Sequence, residues 1–278
     1  MAPARRERAA MIGAMEHESV EDGSIERDSM RDEFVAAHGY WDETRAQLLR
    51  RDPEFFRRYL DLSSVADRSG ALEPKVRELV RVALAGAATH RFVPGLRRHV
   101  ARAIELGASD DELMEVFELT ATLGIHAANA GVPILLEVLA ETGDEPDVFD
   151  LDERQRTLKS DFERNRGYWN PIWDGVLKLS PDFFEAYLEY SSVPWRQGVL
   201  SPKVKELIYC AFDVSAMHLW LPGLKLHIRN ALGYGASATE IMEVIQLASI
   251  QGADLFDDAL TALADARATT GPGDDTDG

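Results

Sequence analysis

The chain repeats itself at an offset of 128 residues, and this duplication restricts its possible folds more than any other feature. The tripeptide beginning at Gly39 recurs at Gly167, PEFF from Pro53 recurs as PDFF, and PKVRELV from Pro74 recurs as PKVKELI from Pro202. The two copies align without a gap from residue 39 to residue 124. Because this period far exceeds the 20–50 residues of solenoid units, the sequence predicts one domain that was duplicated and fused.

Each copy has the pattern of an α-helical domain. Apolar residues recur at helical spacing after Pro74, at Val76, Leu79, Val80 and Ala83. Several predicted helices open with a proline in the first turn or with a Ser-x-x-Glu capping box, and glycines follow predicted helix ends. No convincing alternating run indicates a strand. The prediction is an all-α fold of two tandem domains, each with about six helices.

The predicted domain boundaries follow the repeat and the connector between its copies. We expect disordered segments at 1–30 and 269–278, a first domain at 31–145 and a second at 151–268. The end segments lack apolar periodicity, and the connector GDEPDVFDLDER from Gly143 is acidic and contains a proline.

Composition excludes several classes of function. Forty-eight acidic residues against 30 basic ones give a formal charge of −18, which disfavours nucleic acid and anionic membranes as partners. Cys210 is the single cysteine, so no intrachain disulfide and no CxxC motif can form. No secretory signal and no apolar run of about 18 residues is evident. The expectation is a cytoplasmic protein that binds a small molecule.

The candidate functional residues are one glutamate and two histidines in each copy. His99 and His227 lie on apolar helical stripes, where burial and charged neighbours tune an imidazole pKa. The full sets are Glu78, His90 and His99 in the first copy and Glu206, His218 and His227 in the second. Three interpretations stay open: structural residues that satisfy buried groups, an acid–base pair, or a metal held by two histidines and one glutamate.

At these residues the chain resembles the carboxymuconolactone decarboxylase/AhpD-like superfamily. The resemblance rests on REL and KEL, on LRRHVARAIELGAS and LKLHIRNALGYGAS, on DELMEV and TEIMEV, and on AANAGVP from Ala127. It covers residues 72–139 and 200–264 and implies two AhpD-like helical domains. AhpD-type reductases use a CxxC pair where this chain has HRFV from His90 and HLWL from His218. A dithiol peroxidase is therefore disfavoured.

The resemblance implies the decarboxylase branch, which needs no organic cofactor, and we expect neither a cofactor nor a metal. That branch implies a lyase acting on a small carboxylated or lactone-bearing metabolite from aromatic degradation, or a related ring-opening or isomerising enzyme. By this resemblance, His99 or His227 is the acid–base group and Glu78 or Glu206 orients it. His90 or His218 would bind the substrate carboxylate or oxyanion.

Aromatic residues favour the second copy as the active one, whereas the first copy keeps the family-like segment AANAGVP, so both copies stay candidates. Four of the five tryptophans follow residue 168, and we expect Trp220, Phe92 and Trp195 to contact substrate. Where the first copy has His126, the second has Asp254, so the copies differ near a possible pocket.

Two further expectations concern assembly and alternative functions. Single-domain relatives form rings of six, so a fused pair predicts a homotrimer with a pseudo-hexameric ring. The alternatives to the lyase are a metal-assisted hydrolase or lyase using the Glu/His/His set, and a non-catalytic small-molecule-binding scaffold.

Overall fold

The computed structural model describes residues 24–269, and they form α-helices and two 3₁₀ turns with no strand, which confirms the all-α prediction. The first eight helices are α1 (24–38), α2 (Glu43–Arg51), α3 (Pro53–Ser63), α4 (Val65–Ser69), α5 (Pro74–Gly86), α6 (Val93–Glu105), α7 (Asp110–Ala121) and α8 (His126–Thr142). The others are α9 (Glu153–Arg166), α10 (Ile172–Leu179), α11 (Pro181–Gln197), α12 (Pro202–Val214), α13 (Leu221–Gly233), α14 (Ala238–Ser249) and α15 (Leu255–Thr269). The 3₁₀ turns are Thr122–Ile125 and Gln251–Asp254.

Local signals in the sequence set most of these helix ends. Ser109 caps α7 by accepting a hydrogen bond of 3.1 Å from the backbone N–H of Glu112, whose side chain bonds back to Ser109 N–H. Ser237 and Glu240 make the same capping box before α14. Ser180 occupies the N-cap position of α11 but makes no capping hydrogen bond, unlike its counterpart Asp52. Capping therefore confirms most, though not all, of the predicted starts.

The described chain divides into two compact units. The first contains the described residues up to Gly70 and those from Ile250 onward. Its core gathers aromatic and aliphatic residues of α1, α2, α3 and α15: Met30, Phe34, Leu48, Leu49, Phe56, Leu60 and Leu260. A buried ion pair of 2.6 Å between Arg45 and Asp257 joins α2 to α15.

This core corrects part of one prediction. The sequence predicts disorder over 1–30, but residues 24–30 belong to α1, and Met30 is buried because its side chain packs in the aromatic core. Residues 1–23 and 270–278, which are the remainder of the predicted disordered ends apart from Thr269, lie outside the described residues. Thr269 itself is the last residue of α15.

The second unit spans Ala71–Ser249 and contains α5 to α14. One core cluster is formed chiefly by α5, α7 and α12, and another by residues from Ile125 to Leu188. Two buried ion pairs join equivalent positions of the two repeats: Arg77 with Glu243 at 2.6 Å, and Lys205 with Glu115 at 2.7 Å. A buried charge without its partner would strongly destabilise the fold. The two ion pairs therefore fix how the repeats meet within this unit.

The closing helix of each repeat packs against the opening helices of the other. In the first unit α15 contacts α2, and in the second unit α8 contacts α10. Gly175 permits the second approach, since a Cβ there would lie 2.7 Å from side-chain atoms of Leu136 and Val132. The compact units are therefore composed differently from the sequence repeats, and the boundaries 31–145 and 151–268 remain a prediction about the duplication.

One stretch is long and apolar enough to cross a membrane, which the sequence does not lead us to expect. It runs from Asp110 to Thr142 and combines α7, a 3₁₀ turn and α8. Leu113, Val116 and Leu119 of α7 are nevertheless buried in the core of the second unit. The absence of a membrane partner stays an expectation from the sequence.

Candidate functional site

Each repeat brings its glutamate against a histidine 21 residues further along the chain. Glu206 on α12 lies 2.7 Å from Nδ1 of His227 on α13, and Glu78 on α5 lies 2.9 Å from Nδ1 of His99 on α6. An ionised carboxylate only accepts hydrogen bonds, so Nδ1–H donates and Nε2 keeps its lone pair in the neutral ring. Both pairs thus have the arrangement of an oriented acid–base histidine.

The first-repeat pair is neutralised by an arginine. Arg81 donates a hydrogen bond to Glu78 from the next turn of α5. Burial would raise the pKa of Glu78, but the hydrogen bond from His99 and the charge of Arg81 outweigh it and lower the pKa to about 2. Glu78 is therefore a firmly ionised carboxylate that accepts hydrogen bonds from both Arg81 and His99.

The second-repeat pair has an aromatic neighbour where the first has arginine. Tyr209 corresponds to Arg81, and its ring stacks on His227 with centroids 4.5 Å apart. Asn230 donates a 3.1 Å hydrogen bond to the second oxygen of Glu206. Among the described residues no lysine or arginine pairs with Glu206, so its charge is directed at His227.

A cavity of about 380 Å³ opens beside this second pair, with Glu206, His227 and Asn230 in its wall. Residues from both repeats contribute, because the 3₁₀ turn at Thr122–Ile125 and the start of α8 form one side. Aromatic rings make up much of the lining: Phe162, Tyr168, Trp173, Tyr187, Trp195, Tyr209, Phe212, Trp220 and Tyr234. The volume, the aromatic rings and the polar groups placed among them are typical of a small-molecule site.

Arg166, at the end of α9, supplies a positive charge in the cavity wall. Its guanidinium donates a 2.9 Å hydrogen bond to Ser191 and lies over the Trp195 ring at 5.8 Å. No carboxylate of the described chain is within ion-pair distance of it. Burial raises the pKa of Tyr168 to about 12 despite the opposing charge of Arg166. The cavity therefore holds an arginine that can pair with an anionic ligand.

A strained turn between α12 and α13 places Trp220 in the cavity wall and His218 against His126. Leu219 has a φ of 51°, and its counterpart Arg91 has a φ of 49°, which is unusual for residues other than glycine. The neighbours of Leu219 are His218 and Trp220. Trp220 stacks on His126 with centroids 5.0 Å apart, and Nε2 of His218 lies 2.5 Å from Nδ1 of the same His126.

Asp213, on the last turn of α12, is a completely buried acid beside these histidines. Its oxygens lie 3.8 Å from Nε2 of His126 and 4.0 Å from Nε2 of His227. Neither oxygen has a hydrogen-bond partner among the described residues. Burial raises the pKa of Asp213 to about 7; His227 opposes that rise and Glu206 adds to it.

The structure gathers only part of the predicted set into one cavity. Of the predicted residues, Glu206, His227, Trp195 and Trp220 line it. His218 contacts it through His126, whereas Glu78, His90, Phe92 and His99 do not line it. Phe92 is buried against Gly95 and Arg98, and the His90 ring lies 5.7 Å from the Phe92 ring.

Sequence reasoning missed several residues that the fold brings to the cavity. Neither Arg166 nor Asp213 belongs to a recognisable sequence motif. Asp213 lies in an apolar helix, however, and the first repeat has Ala85 at the equivalent position, so a comparison of the repeats could have identified it. In the sequence His126 stands out only by its difference from Asp254. Cys210 is buried with a raised pKa, caused chiefly by burial, so it is a core residue and not a reactive thiol.

Comparison with known proteins identifies related sequences and a related structure. The model of the carboxymuconolactone decarboxylase family matches the chain twice, at residues 53–137 and 181–265. The crystal structure of a candidate gamma-carboxymuconolactone decarboxylase subunit from Burkholderia xenovorans LB400 is 49% identical, with a TM-score of 0.84. The match covers 88% of this chain and 98% of that one. None of the curated proteins compared with the sequence matches it significantly.

Proposed function

Because the chain belongs to the carboxymuconolactone decarboxylase family, in a tandem form without the CxxC motif, we propose that it is a lyase that decarboxylates a small carboxylated or lactone-bearing metabolite. One observation carries the proposal: the Glu206–His227 pair lies at 2.7 Å in the wall of an aromatic cavity that also contains Arg166. The family and the related structure support a decarboxylase-like lyase, and the substrate and mechanism are our inference.

The proposed reaction uses protein groups to handle charge and one proton. The bond from the carboxylate carbon to the substrate breaks, CO2 leaves, and the electron pair moves into a neighbouring unsaturated carbonyl as an enolate. His227, protonated at Nε2, then delivers a proton to carbon, while ionised Glu206 stabilises the imidazolium and holds the ring in place. Asn230 holds the second carboxylate oxygen of Glu206.

We assign substrate anchoring to Arg166, in place of the predicted role of His90 or His218. A guanidinium pairs with a carboxylate through two parallel hydrogen bonds, and in this low-dielectric wall its charge counters the net charge of the protein. Trp173, Trp195 and Trp220 all line the cavity, which favours a substrate that is larger and more apolar than a simple muconolactone. Aromatic-ring degradation intermediates fit this description.

The experiment compares equivalent substitutions in the two repeats. Release of CO2 is measured from a panel of carboxylated lactones and unsaturated keto acids. We expect His227→Gln and Glu206→Gln to lose about 100-fold or more in kcat, with His99→Gln and Glu78→Gln within a few-fold of wild type. A non-catalytic binding scaffold predicts no turnover in any chain, and equal losses in both repeats would contradict the assignment to the second.

The expected homotrimer is kept as part of this proposal. Ile134, Leu135 and Val138 on α8 each have about half or more of their surface exposed, and a row of exposed apolar residues is suited to contact with another copy. Light scattering should give a mass near three times 30.9 kDa, and a mass equal to one chain would contradict it. A cytoplasmic location remains a prediction from the sequence.

A further inference from the structure

A second group of side chains lies beside the proposed acid–base pair and has no role in the proposed reaction. His126, Asp213 and His218 each offer one ligand atom, and these atoms all lie within 4.8 Å of one another. They come from the start of α8, the end of α12 and the turn after it. The fold thus brings two imidazoles and one carboxylate together from positions up to 92 residues apart.

Asp213 is the first reason to look for a cation here. Its side chain is completely buried, and both carboxylate oxygens lack a hydrogen-bond donor among the described residues. A buried carboxylate without a partner is costly, and buried charges are usually paired or bound to a metal. Helix α13 closes over it, since a Cβ on Gly223 would lie 2.4 Å from Oδ2. The group is enclosed on that side and faces imidazole nitrogens on the other.

The two histidines are the second reason. Nδ1 of His126 lies 2.5 Å from Nε2 of His218, so the fold already brings two potential ligand nitrogens together. Neutral imidazole nitrogens are common metal ligands. Stacking fixes the His126 ring, with Trp220 at 5.0 Å and His218 at 4.8 Å between centroids.

From this geometry we propose that His126, Asp213 and His218 form a binding site for a divalent transition-metal ion, with Zn²⁺ as the best match. Two imidazoles and one carboxylate are a ligand set of open zinc sites, and the same set also binds ferrous iron. An ion would separate the two imidazole nitrogens from 2.5 Å to about 3.3 Å, the distance between ligands on a tetrahedral zinc.

The site lies next to the cavity, where a bound ion could contact a molecule in it. His126 is part of the cavity wall, and three protein ligands leave a tetrahedral ion one open position for an oxygen of the ligand. Nε2 of His227 lies 4.0 Å from the second oxygen of Asp213. The inference goes beyond the proposed reaction and does not depend on it, because binding of the ion can be measured without turnover.

The first repeat provides an internal comparison. The positions equivalent to Asp213, His218 and His126 are Ala85, His90 and Asp254. The first repeat therefore keeps the histidine equivalent to His218. It has different residue types at the positions equivalent to Asp213 and His126. His90→Ala is accordingly the matched control for His218→Ala, because it removes the equivalent imidazole from the repeat that has no trio.

The test is direct binding of Zn²⁺ to the full chain after removal of metals with a chelator. Titration calorimetry and elemental analysis give affinity and stoichiometry, and Co²⁺ substitution reports tetrahedral coordination through its visible absorption. We expect one ion per wild-type chain and an affinity at least about 100-fold weaker in Asp213→Asn and His218→Ala. His90→Ala should bind as wild type does. Circular dichroism confirms that each variant is folded.

Two results would overturn the proposal: a wild-type chain that takes up no Zn²⁺, or variants of the trio that bind it as tightly as wild type. Should Asp213→Asn fail to fold, His218→Ala decides the question, because His218 lies in a partly exposed turn. If the wild-type chain binds Zn²⁺ but the His227 variants keep full turnover, the proposed function fails while the metal site stands.

Discussion

The Glu78–His99 pair and the Glu206–His227 pair have nearly the same internal geometry but very different surroundings. The first is tied to Arg81, and the second is stacked on Tyr209 and held by Asn230. Of the two, only the second lines the aromatic cavity and has the buried Asp213 next to it. Both copies thus keep a glutamate–histidine contact. The neighbouring residues that would make the contact catalytic surround the pair of the second copy. The following experiments test that difference.

The largest effect is expected when the first repeat receives the acid of the second. Ala85→Asp places a carboxylate at a buried position of α5, one turn after Arg81, which already pairs with Glu78. We expect a loss of about 3 kcal/mol in the free energy of unfolding, because an uncompensated buried charge is strongly destabilising. Ala101→Asp, at an exposed position of α6, should change stability by less than about 0.5 kcal/mol. Equal losses at both sites would contradict the interpretation.

Glu78 should stabilise the protein in a pH-dependent way. Its pKa is about 2 in the folded chain against 4.5 as the ordinary value. The ionised group therefore contributes about 3 kcal/mol above pH 4.5, and this contribution is lost as the pH falls from about 4.5 to about 2. The difference in unfolding free energy between wild type and Glu78→Gln should shrink through that window. Glu105→Gln, at an exposed position, provides the control, and a difference that does not change with pH would refute the structural role.

Arg166→Met should weaken binding of a carboxylated substrate. Loss of a charge-assisted hydrogen bond costs about 1.5–3 kcal/mol, so kcat/KM should fall roughly 10- to 100-fold, mostly through KM. Arg164→Met removes the same charge from an exposed position on the same helix and should have little effect. If KM were unchanged, or if an uncharged ester analogue were equally affected, Arg166 would not be the anchor.

Asn230→Ala should give the smallest effect. It removes one neutral-to-charged hydrogen bond to Glu206, and a loss of about 1 kcal/mol corresponds to roughly a fivefold decrease in kcat. The equivalent residue of the first repeat is Arg102, which forms an exposed pair with Glu105. Arg102→Ala should leave kcat unchanged, and a similar decrease in both variants would mean that the effect is general.

The helices were predictable because their signals are local. Capping boxes at Ser109 and Ser237, and prolines at Pro74 and Pro202, mark helix starts without reference to the rest of the chain. The 21-residue spacing of Glu206 and His227 likewise places them on neighbouring helices, where they meet. The helix around Met30 was missed because its apolar residues are sparse and acquire meaning only from a core completed by α15.

The rest of the cavity was not predictable from either copy alone. His126 belongs to the first repeat and meets His218 of the second, because α8 packs against α10 of the other repeat. Arg166 replaces His38 of the first repeat and carries no motif. The packing of each closing helix against the other repeat therefore decides which side chains surround the second pair. A comparison of the sequence with itself does not reveal that packing.

The most direct test of the central claim is a crystal structure of the chain soaked with a carboxylated lactone that it turns over, or with an inert analogue. We predict electron density in the aromatic cavity, with the carboxylate on Arg166 and a carbon atom facing Nε2 of His227. Density beside Glu78 and His99, with the second-repeat cavity empty, would contradict it.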